Sequence, residues 1–319
     1  MASPSVYYQN LSNDCLIRPQ FNSAHILFVV EPHERNIFDH LLISTLRLVR
    51  HNFHRMFLQS NRDRSHGIRT IRRTFVELAA TASISPSRAL LVAPISPRLN
   101  VTPVEIAAAY YRTGYVPKDY ASQADYETHV LLERSRAVQC PSIALQLAGA
   151  KKVQEVLTRP GVLERFLAPS EGAAAVRETW MRMWSLDADG GAGAEEAVRG
   201  AHELVLKPQR EGGGNNVYQG NNPQLVAQLP KQERAAWVAM EPIRPPRGVR
   251  GYLVRSDAGS VCANVVSELG VFGWVLFAEG REMKDEQAGW LVRTKADDVD
   301  EGGVATGFSA LDSVLLVDL

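Results

Sequence analysis

Short apolar runs separated by polar turns form the main hydrophobic pattern of this chain. One run covers Ile26–Val30 and another covers Leu204–Leu206. Runs of this length, rich in branched side chains, are typical of buried strands. The same reading predicts strands at 68–75, 87–93, 104–111, 237–241, 251–255 and 260–267, and helices at 126–138, within 140–157 and at 223–234. Gly, Ala and Asp at 185–197 predict a flexible, exposed connection. Strands and helices in alternation indicate an α/β protein.

Two N-terminal stretches do not follow this rhythm. Residues 1–23 are polar and aperiodic, so we assign them no element. From Arg47 to Arg73 there are eight arginines and one acid, Asp63. This stretch has three possible interpretations: a basic helix, an insertion that contacts RNA or a membrane, or sequence foreign to the mature protein such as a retained intron. An amphipathic stripe supports the helix, but we favour a loosely packed or artefactual insertion at 41–66 because basic patterns are weak indicators of partners.

The bulk composition is that of an ordinary globular protein. At 319 residues, with 45% hydrophobic and 22% charged residues, the chain is long enough for two domains. Lys plus Arg equal Asp plus Glu at 35 each, so no net charge favours nucleic acid or anionic lipid.

Cysteine spacing and hydropathy exclude further classes. The three cysteines lie far apart without a CxxC pair, which argues against disulfides or a zinc site. No apolar run approaches the roughly 18 residues of a membrane helix, and the first residues lack the pattern of a signal peptide. We therefore expect a cytoplasmic protein.

The segment from Leu204 to Tyr218 carries the clearest chemistry. Lys207 follows a strand directly, and Pro208, which has no N–H, is expected to end the ladder. Glu211 is an oxygen ligand of the kind Mg²⁺ takes, and the glycines at 212–214 can fold their backbone N–H groups over a phosphate. This combination predicts a nucleotide-phosphate site, although a glycine hairpin with a solvated Lys and Glu has the same pattern. It is not a P-loop.

Other candidates follow predicted strands. Residues 34–36 lie in the polar turn after the first strand, at the end where open α/β sheets bind ligands; a solvated helix N-terminus is the alternative reading. Arg112 and Tyr115 follow the 104–111 strand, where Arg can grip a carboxylate, although an exposed Arg and a turn Tyr look the same. Arg293 and Lys295 are two apart and would share one face of a strand.

Six motifs, in order, resemble the eukaryotic-type glutathione synthetase family of ATP-grasp ligases. They are ERNIFD at 34–39, YYRTGYVP at 110–117, CPSIALQLAGAKKVQ at 140–154, KPQREGGGNN at 207–216, SELGVFG at 267–273, and LVRTKA at 291–296 with GGVATG at 302–307. The resemblance covers about 24–40 and 67–319. It implies an ATP-grasp fold with a smaller Rossmann-like α/β substrate-binding domain. We expect the latter at 24–139 and the ATP-grasp domain at 140–319, with glycine-rich loops at 207–216 and 301–307.

The resemblance also implies a reaction and its site. An ATP- and Mg²⁺-dependent ligase would join γ-glutamyl-cysteine to glycine through an acyl phosphate, with small-molecule substrates, no nucleic-acid or membrane partner, and a homodimer in the family. Catalytic roles fall to Arg293 and Lys207, and the metal to Glu211. The substrate residues are Glu34, Arg35, Asn36, Arg112, Tyr115, Arg293, Val304 and Ala305. The nucleotide residues are Lys151, Lys207, Gln209, Arg210, Glu211, Gly212, Gly213, Gly214, Asn215, Asn216, Tyr218, Met240, Glu241, Ile243, Glu268, Lys295 and Glu301.

The chain departs from the family in several places. Pro242 stands where the hinge of the nucleotide site usually has Lys, and Glu301 stands where the second loop usually has Asp. Family members are longer at the N-terminus, and that region supplies further magnesium ligands, an Arg for the γ-glutamyl end and much of the dimer surface. The resemblance therefore leaves two expectations: an active ligase, or a shortened, impaired ATP-grasp remnant that serves as a nucleotide-binding or regulatory module. RNA binding through 47–73 is a third, weaker one.

Overall fold

The computed structural model describes residues 25–32, 69–95, 102–167, 172–187, 191–210, 215–255, 259–278, 281–300, 302–304 and 307–314. Within them the chain divides into two compact units. The first takes the described residues up to Ser142, together with 269–292 and those from Asp312 onward. The second takes the described residues of 143–268 and 293–311. The 41–66 segment and the ERNIFD motif lie outside the described residues.

A mixed sheet forms the centre of the first unit. Its strands are β1 (His25–Val29), β2 (Arg69–Arg73), β3 (Ala82–Ile84), β4 (Leu90–Val92), β5 (Val104–Tyr111) and β6 (Val138–Cys140). The order is β2-β1-β5-β4-β3, with β6 also on β5. Pairs β1–β2, β1–β5 and β5–β6 are parallel, whereas β3–β4 and β4–β5 are antiparallel. The continuous apolar run of β1 is explained by its central place, with Leu27, Phe28 and Val29 all buried.

Two helices pack on this sheet: α1 (Phe75–Thr81) and α2 (Gln123–Arg134). We predicted that the second strand would reach Phe75, which was wrong because a capping box starts α1 there. The Thr74 hydroxyl accepts the Glu77 N–H at 3.2 Å, and the Glu77 carboxylate accepts the Thr74 N–H at 2.8 Å. The helix predicted at 126–138 begins three residues earlier and ends at Arg134, because Val138 already pairs with Ala108 of β5. The 104–111 strand is confirmed.

The second unit combines short helices with a small sheet. The elements are α3 (Ile143–Ala148), α4 (Lys151–Thr158), α5 (Ala173–Glu178), β7 (Met183–Ser185), α6 (Gly191–Arg199), β8 (Val205–Pro208), β9 (Val217–Tyr218), α7 (Asn222–Gln228) and β10 (Trp237–Met240). The sheet order is β7-β10-β8-β9. Leu206, Val238 and Ala239 are fully buried at its centre. The buried Asn222 amide donates to the carbonyls of Ala201 and Leu204, which fixes the approach to β8.

Two expectations for this unit were wrong. The segment predicted as flexible contains α6, because Ala194, Ala197 and Ala201 recur at helical spacing and are buried. The expectation that Pro208 ends the ladder also fails, since Pro208 pairs with Trp237 and the Gln209 N–H still reaches the Ala236 carbonyl at 2.9 Å. Hydrogen-bonded and non-hydrogen-bonded pairs alternate in antiparallel sheets. Pro208 therefore falls on a non-hydrogen-bonded pair, where β10 needs no N–H from it.

The last strands form a third sheet with long hairpin arms. It is ordered β11 (Arg250–Arg255), β12 (Gly259–Ala278), β13 (Arg281–Ala296) and β14 (Ala310–Asp312). At 20 residues, β12 is far longer than the strand predicted at 260–267. It continues beyond the predicted end at residue 267, through Gly270 and Gly273. Within the described residues, no helix is long and apolar enough to cross a membrane.

Candidate functional site

The structure describes most, but not all, of the predicted site residues. Outside the described residues lie Glu34, Arg35, Asn36, Glu211, Gly212, Gly213, Gly214, Glu301 and Ala305. Their roles stay predictions, including the magnesium role of Glu211. In the part of the chain that is described, no three Asp, Glu, His or Cys side chains gather as metal ligands would.

Lys207 lies at the end of β8, where the antiparallel β8–β9 pair brings together the two ends of the glycine-rich loop. Its ammonium donates to the Asn216 side-chain oxygen at 3.3 Å. The Asn216 amide nitrogen in turn donates to the Tyr218 hydroxyl at 3.1 Å. Lys207 and the residues after the loop are half-buried. The predicted cation is therefore held at the base of the loop rather than pointing into solvent.

The main-chain carbonyl of Asp300 joins this loop base to the end of β13. The Tyr218 hydroxyl donates to that carbonyl at 3.4 Å, and the Lys295 ammonium donates to it at 3.0 Å. Five residues from two distant segments thus form one cation network: Lys207, Asn216, Tyr218, Asp300 and Lys295. Sequence reasoning missed Asp300, because a residue that acts through its backbone carbonyl leaves no side-chain signal.

Gln209 connects the same strand to the start of α4. Its side-chain oxygen accepts the backbone N–H of Lys152 at 3.0 Å. Its amide nitrogen is buried and has no hydrogen-bond partner among the described residues. Of the remaining loop residues, Arg210 is exposed and Asn215 is half-buried.

The adjacent lysines of α4 have different surroundings. Lys152, which the sequence did not single out, donates to the Asp187 carboxylate at 2.6 Å and to the buried Ser185 hydroxyl, and it lies 3.4 Å from the buried Glu155. Within the described structure the Lys151 ammonium has no hydrogen-bond or ion-pair partner. The lysine predicted to contact nucleotide is therefore the one whose charge is not neutralised.

The predicted adenine hinge follows β10. Glu241 accepts from the Arg182 guanidinium at 2.8 Å and from the Arg182 N–H at 3.1 Å, and this pairing holds the pKa of the Glu241 carboxyl below its usual value. The Arg182 guanidinium also lies over the Trp184 ring, 5.3 Å from its centroid. Met240 is half-buried, whereas the Ile243 side chain is 69% exposed. An apolar side chain in the open beside a strand end suits contact with a flat ring.

The structure pairs two residues that were predicted to serve different ligands. The Arg293 guanidinium donates to the Glu268 carboxylate at 2.5 Å. A Cβ added to Gly302 would lie 3.0 Å from the same carboxylate, so the second loop begins in close approach to it. That loop folds back on itself: the Gly307 N–H donates to the Val304 carbonyl at 2.9 Å. Arg293 uses one N–H in the ion pair and keeps others for a ligand.

In the first unit, the two predicted substrate residues lie at the carboxyl end of β5. The Arg112 N–H donates to the Val29 carbonyl at 2.8 Å, which continues the ladder beyond the strand. The Tyr115 hydroxyl donates to the Tyr111 carbonyl at 3.0 Å, and the Tyr115 N–H donates to the Asp119 carboxylate at 2.8 Å. Both residues are half-buried and their loop is tightly held.

An aromatic cluster that the sequence did not reveal supports this loop. It consists of Phe75, Tyr111, Tyr120, Tyr126 and His129, with ring centroids of Tyr111 and His129 4.7 Å apart. The Tyr120 hydroxyl donates to the Gly114 carbonyl at 3.1 Å and lies 2.7 Å from His129 Nδ1. Burial raises the pKa of Tyr120 to about 12 and lowers the pKa of His129.

A groove of about 390 Å³ in the first unit has a lining that includes none of the predicted site residues. It runs between β3 and α2, with Ile84, Tyr126 and Val130 in its lining. A search for cavities alone would therefore have selected a different region from the one that contains the predicted site residues.

The fold and the cation network together define an ATP-grasp-type α/β protein. A sequence model of the family described as "Eukaryotic glutathione synthase, ATP binding domain" matches residues 20–316. The chain belongs to this family.

Curated relatives extend the match. The chain is 37% identical to the chloroplastic glutathione synthetase of Arabidopsis thaliana over 302 residues, which cover 92% of this chain and 50% of that protein. It is 38% identical to the human glutathione synthetase over 295 residues, with 91% and 56% covered. The chain thus spans about half the length of the curated relatives it matches.

A solved structure agrees on the fold. It is a glutathione synthetase-like effector from Globodera pallida in its apo form, with a TM-score of 0.61 at 18% identity, covering 93% of this chain and 57% of that one. At that identity the comparison supports the fold alone.

Proposed function

We propose that this chain is an ATP-dependent ligase that joins γ-glutamyl-cysteine to glycine. The observation that carries the proposal is the cation network, found in a member of the eukaryotic glutathione synthase family. In this network Lys207 is connected through Asn216 and Tyr218 to the Asp300 carbonyl, to which Lys295 donates directly. Cations positioned in this way suit the charge of a transferring phosphoryl group.

The proposed reaction has two steps. The terminal phosphoryl group of ATP passes to the cysteinyl carboxylate, which releases ADP and forms an acyl phosphate. The amine of glycine then attacks the acyl carbon, loses a proton and displaces phosphate as the new C–N bond forms. No side-chain nucleophile is required.

The described residues have distinct parts in this proposal. Lys207, Lys295 and Lys151 bind phosphate oxygens. Arg293, oriented by Glu268, adds positive charge beside the transferring phosphoryl group. Closure of the two loops keeps water from the acyl phosphate, which would otherwise hydrolyse. Arg112 grips a carboxylate of the peptide bidentately.

Magnesium belongs to the proposal only through Glu211, which would hold it together with phosphate oxygens. The metal would neutralise phosphate charge when bound.

The deciding experiment measures phosphate release by the full chain with ATP, Mg²⁺, γ-glutamyl-cysteine and glycine, and identifies the product by mass. The proposal expects release that needs both the peptide and the amino acid, with a tripeptide as product. Phosphate release without dependence on glycine would contradict it. ATP binding without turnover would instead support a nucleotide-binding or regulatory module.

A further inference from the structure

One row of side chains crosses the first-unit sheet on the face away from α1 and α2. In register, Arg72 of β2 pairs with Phe28 of β1, and Phe28 pairs with Tyr110 of β5. The rings of Phe28 and Tyr110 meet edge to face, with centroids 5.4 Å apart. The neighbouring row, with Val29 and Tyr111, faces the other way, since Tyr111 stacks on His129 of α2. Arg72 therefore stands beside an aromatic pair, next to last in its strand.

Among the described residues, the Arg72 guanidinium has no counter-charge. Its Nη1 atom is buried without a hydrogen-bond partner, and no acidic side chain in the described part of the chain forms an ion pair with it. Its neighbour Arg73 also has a buried nitrogen without a partner, Nε, but its Nη1 donates to the Arg72 carbonyl at 2.7 Å. A buried donor on a charged group that is left unsatisfied is destabilising. Such a residue is best explained by an anionic ligand that completes it.

The position of Arg72 suits a ligand. Open α/β sheets bind ligands beyond the carboxyl ends of their parallel strands, and Arg72 lies at that end of β2. Arg112 follows the carboxyl end of β5, where its N–H still bonds to Val29. Side chains alternate along a strand, so Arg112 shares the face of Tyr110 and Arg72.

The two arginines are spaced for one ligand with two anionic groups. One strand, β1, separates β2 from β5. With neighbouring strands about 4.8 Å apart, the two guanidinium groups start from backbones roughly 10 Å apart across the sheet. A small peptide with a carboxylate at each end can reach both.

We propose that Arg72 is a second carboxylate-binding residue of the first unit, which together with Arg112 selects a dicarboxylate peptide. The inference rests on the proposed function and deepens it, because it names which groups of the peptide are read. The aromatic pair between the arginines would pack on the stem of the peptide and exclude water from both ion pairs.

Calorimetry on the full chain tests this with γ-glutamyl-cysteine and with its C-terminal amide, which has one carboxylate fewer. The variants are Arg72→Gln, Arg72→Lys and the control Arg69→Gln, since Arg69 is exposed at the other end of β2. We expect Arg72→Gln to weaken binding of the dicarboxylate about tenfold or more, as loss of a charged hydrogen bond would. The loss for the amide should be smaller, ATP affinity should not change, and Arg69→Gln should match the wild type.

Thermal melting separates a binding role from a structural one. If Arg72 is kept for a ligand, Arg72→Gln should melt at the wild-type temperature or above it, because an unsatisfied buried charge has been removed. A clearly lower melting temperature, or dicarboxylate binding as tight as in the wild type, would overturn the inference. If Arg72→Gln does not fold, the inference is likewise overturned. Tight binding by Arg72→Lys would support a carboxylate site that needs the positive charge but not the paired N–H groups of the guanidinium.

Failure of the proposed function gives a different result. A wild-type chain that binds ATP but neither peptide would overturn the proposed substrate, and the inference with it. If the wild type and Arg72→Gln bind the dicarboxylate equally tightly, the inference is overturned but the proposed function is not.

Discussion

The cation network of the second unit and the aromatic cluster of the first are built in opposite ways. The network joins polar groups from segments far apart in sequence through single hydrogen bonds, and among the described residues the Lys295 ammonium bonds to a neutral carbonyl. The cluster packs neighbouring aromatic rings around His129, which is 6% exposed. A network that holds lysine side chains at the base of a loop suits binding, whereas a filled cluster suits positioning. Damage to the first should therefore weaken binding, and damage to the second should weaken stability.

The Lys207→Met substitution gives the strongest test of whether the network serves binding rather than stability. Loss of the ammonium should weaken binding of a non-hydrolysable ATP analogue about 100-fold, because charge-assisted bonds to phosphate are lost. The melting temperature should change little. Titration calorimetry measures the first and scanning calorimetry the second, with Lys231→Met, at an exposed lysine of the same unit, as control. Unchanged nucleotide affinity would remove Lys207 from the site.

Gly114→Ala should have the largest effect on the cluster side. Gly114 has φ +81°, and an added Cβ would lie 3.1 Å from the Tyr120 hydroxyl and 3.3 Å from the Phe75 ring. The left-handed backbone alone costs about 1–2 kcal/mol with a side chain, and the contacts add to it. Urea unfolding should show a loss of roughly 2–4 kcal/mol.

Gly248→Ala is the matched control for that substitution. Its φ is +80°, but no atom lies within 4 Å of the added Cβ. It should therefore show the backbone cost without the packing cost. Equal losses at the two glycines would mean that the ring contacts at Gly114 contribute nothing.

His129 should make the stability of the cluster depend on pH. Burial lowers its pKa in the folded state below the ordinary value of 6.5, although Glu133 lies 4.0 Å from Nε2. The buried phenols of Tyr111 and Tyr120 stay neutral, so they supply no charge to pair with an imidazolium. Below about pH 6.5 the unfolded chain takes up the proton first, and stability therefore falls as pH falls towards the folded pKa.

Melting curves from pH 8 to pH 5 measure this effect in the wild type and in His129→Gln, which does not titrate. The wild type should lose more stability than the variant on acidification. Parallel curves would show that protonation of His129 is not coupled to unfolding.

Tyr218→Phe should produce the smallest effect. It removes the hydroxyl that joins Asn216 to the Asp300 carbonyl but leaves both lysines in place. Affinity for the ATP analogue should fall only about two- to tenfold, the range expected for one hydrogen bond. Tyr252→Phe, at a ring that is 76% exposed, is the control. A loss as large as that of Lys207→Met would mean that Tyr218 itself contacts the nucleotide.

The sequence predicted strands well where the signal was local. The 104–111 strand agrees to the residue, because eight largely apolar residues lie between polar turns. The prediction of strand length failed at β12, because pairing with β13 extends this strand beyond the residues whose own composition favours a strand. Prediction also failed at α6, where alanines at helical spacing were hidden by the glycines around them.

Site chemistry was predictable only where it depends on a charged side chain in a motif. The resemblance pointed to Lys207 and Lys295, and the structure brings both into one network. It could not point to the Asp300 carbonyl or to the Tyr120–His129 pair. Backbone acceptors and the partners of a buried ring are determined by tertiary packing, which a one-dimensional pattern does not encode.

The shared acceptor at Asp300 has a consequence for timing. One carbonyl receives two donors, Tyr218 from the side of the first loop and Lys295 from β13, immediately before the second loop. Any displacement of that peptide unit stretches both bonds at once, so the Tyr218 and Lys295 contacts should be lost together rather than one by one. A nucleotide that draws the Lys295 ammonium away would leave the Tyr218 hydroxyl, among the described residues, as the remaining donor to that carbonyl.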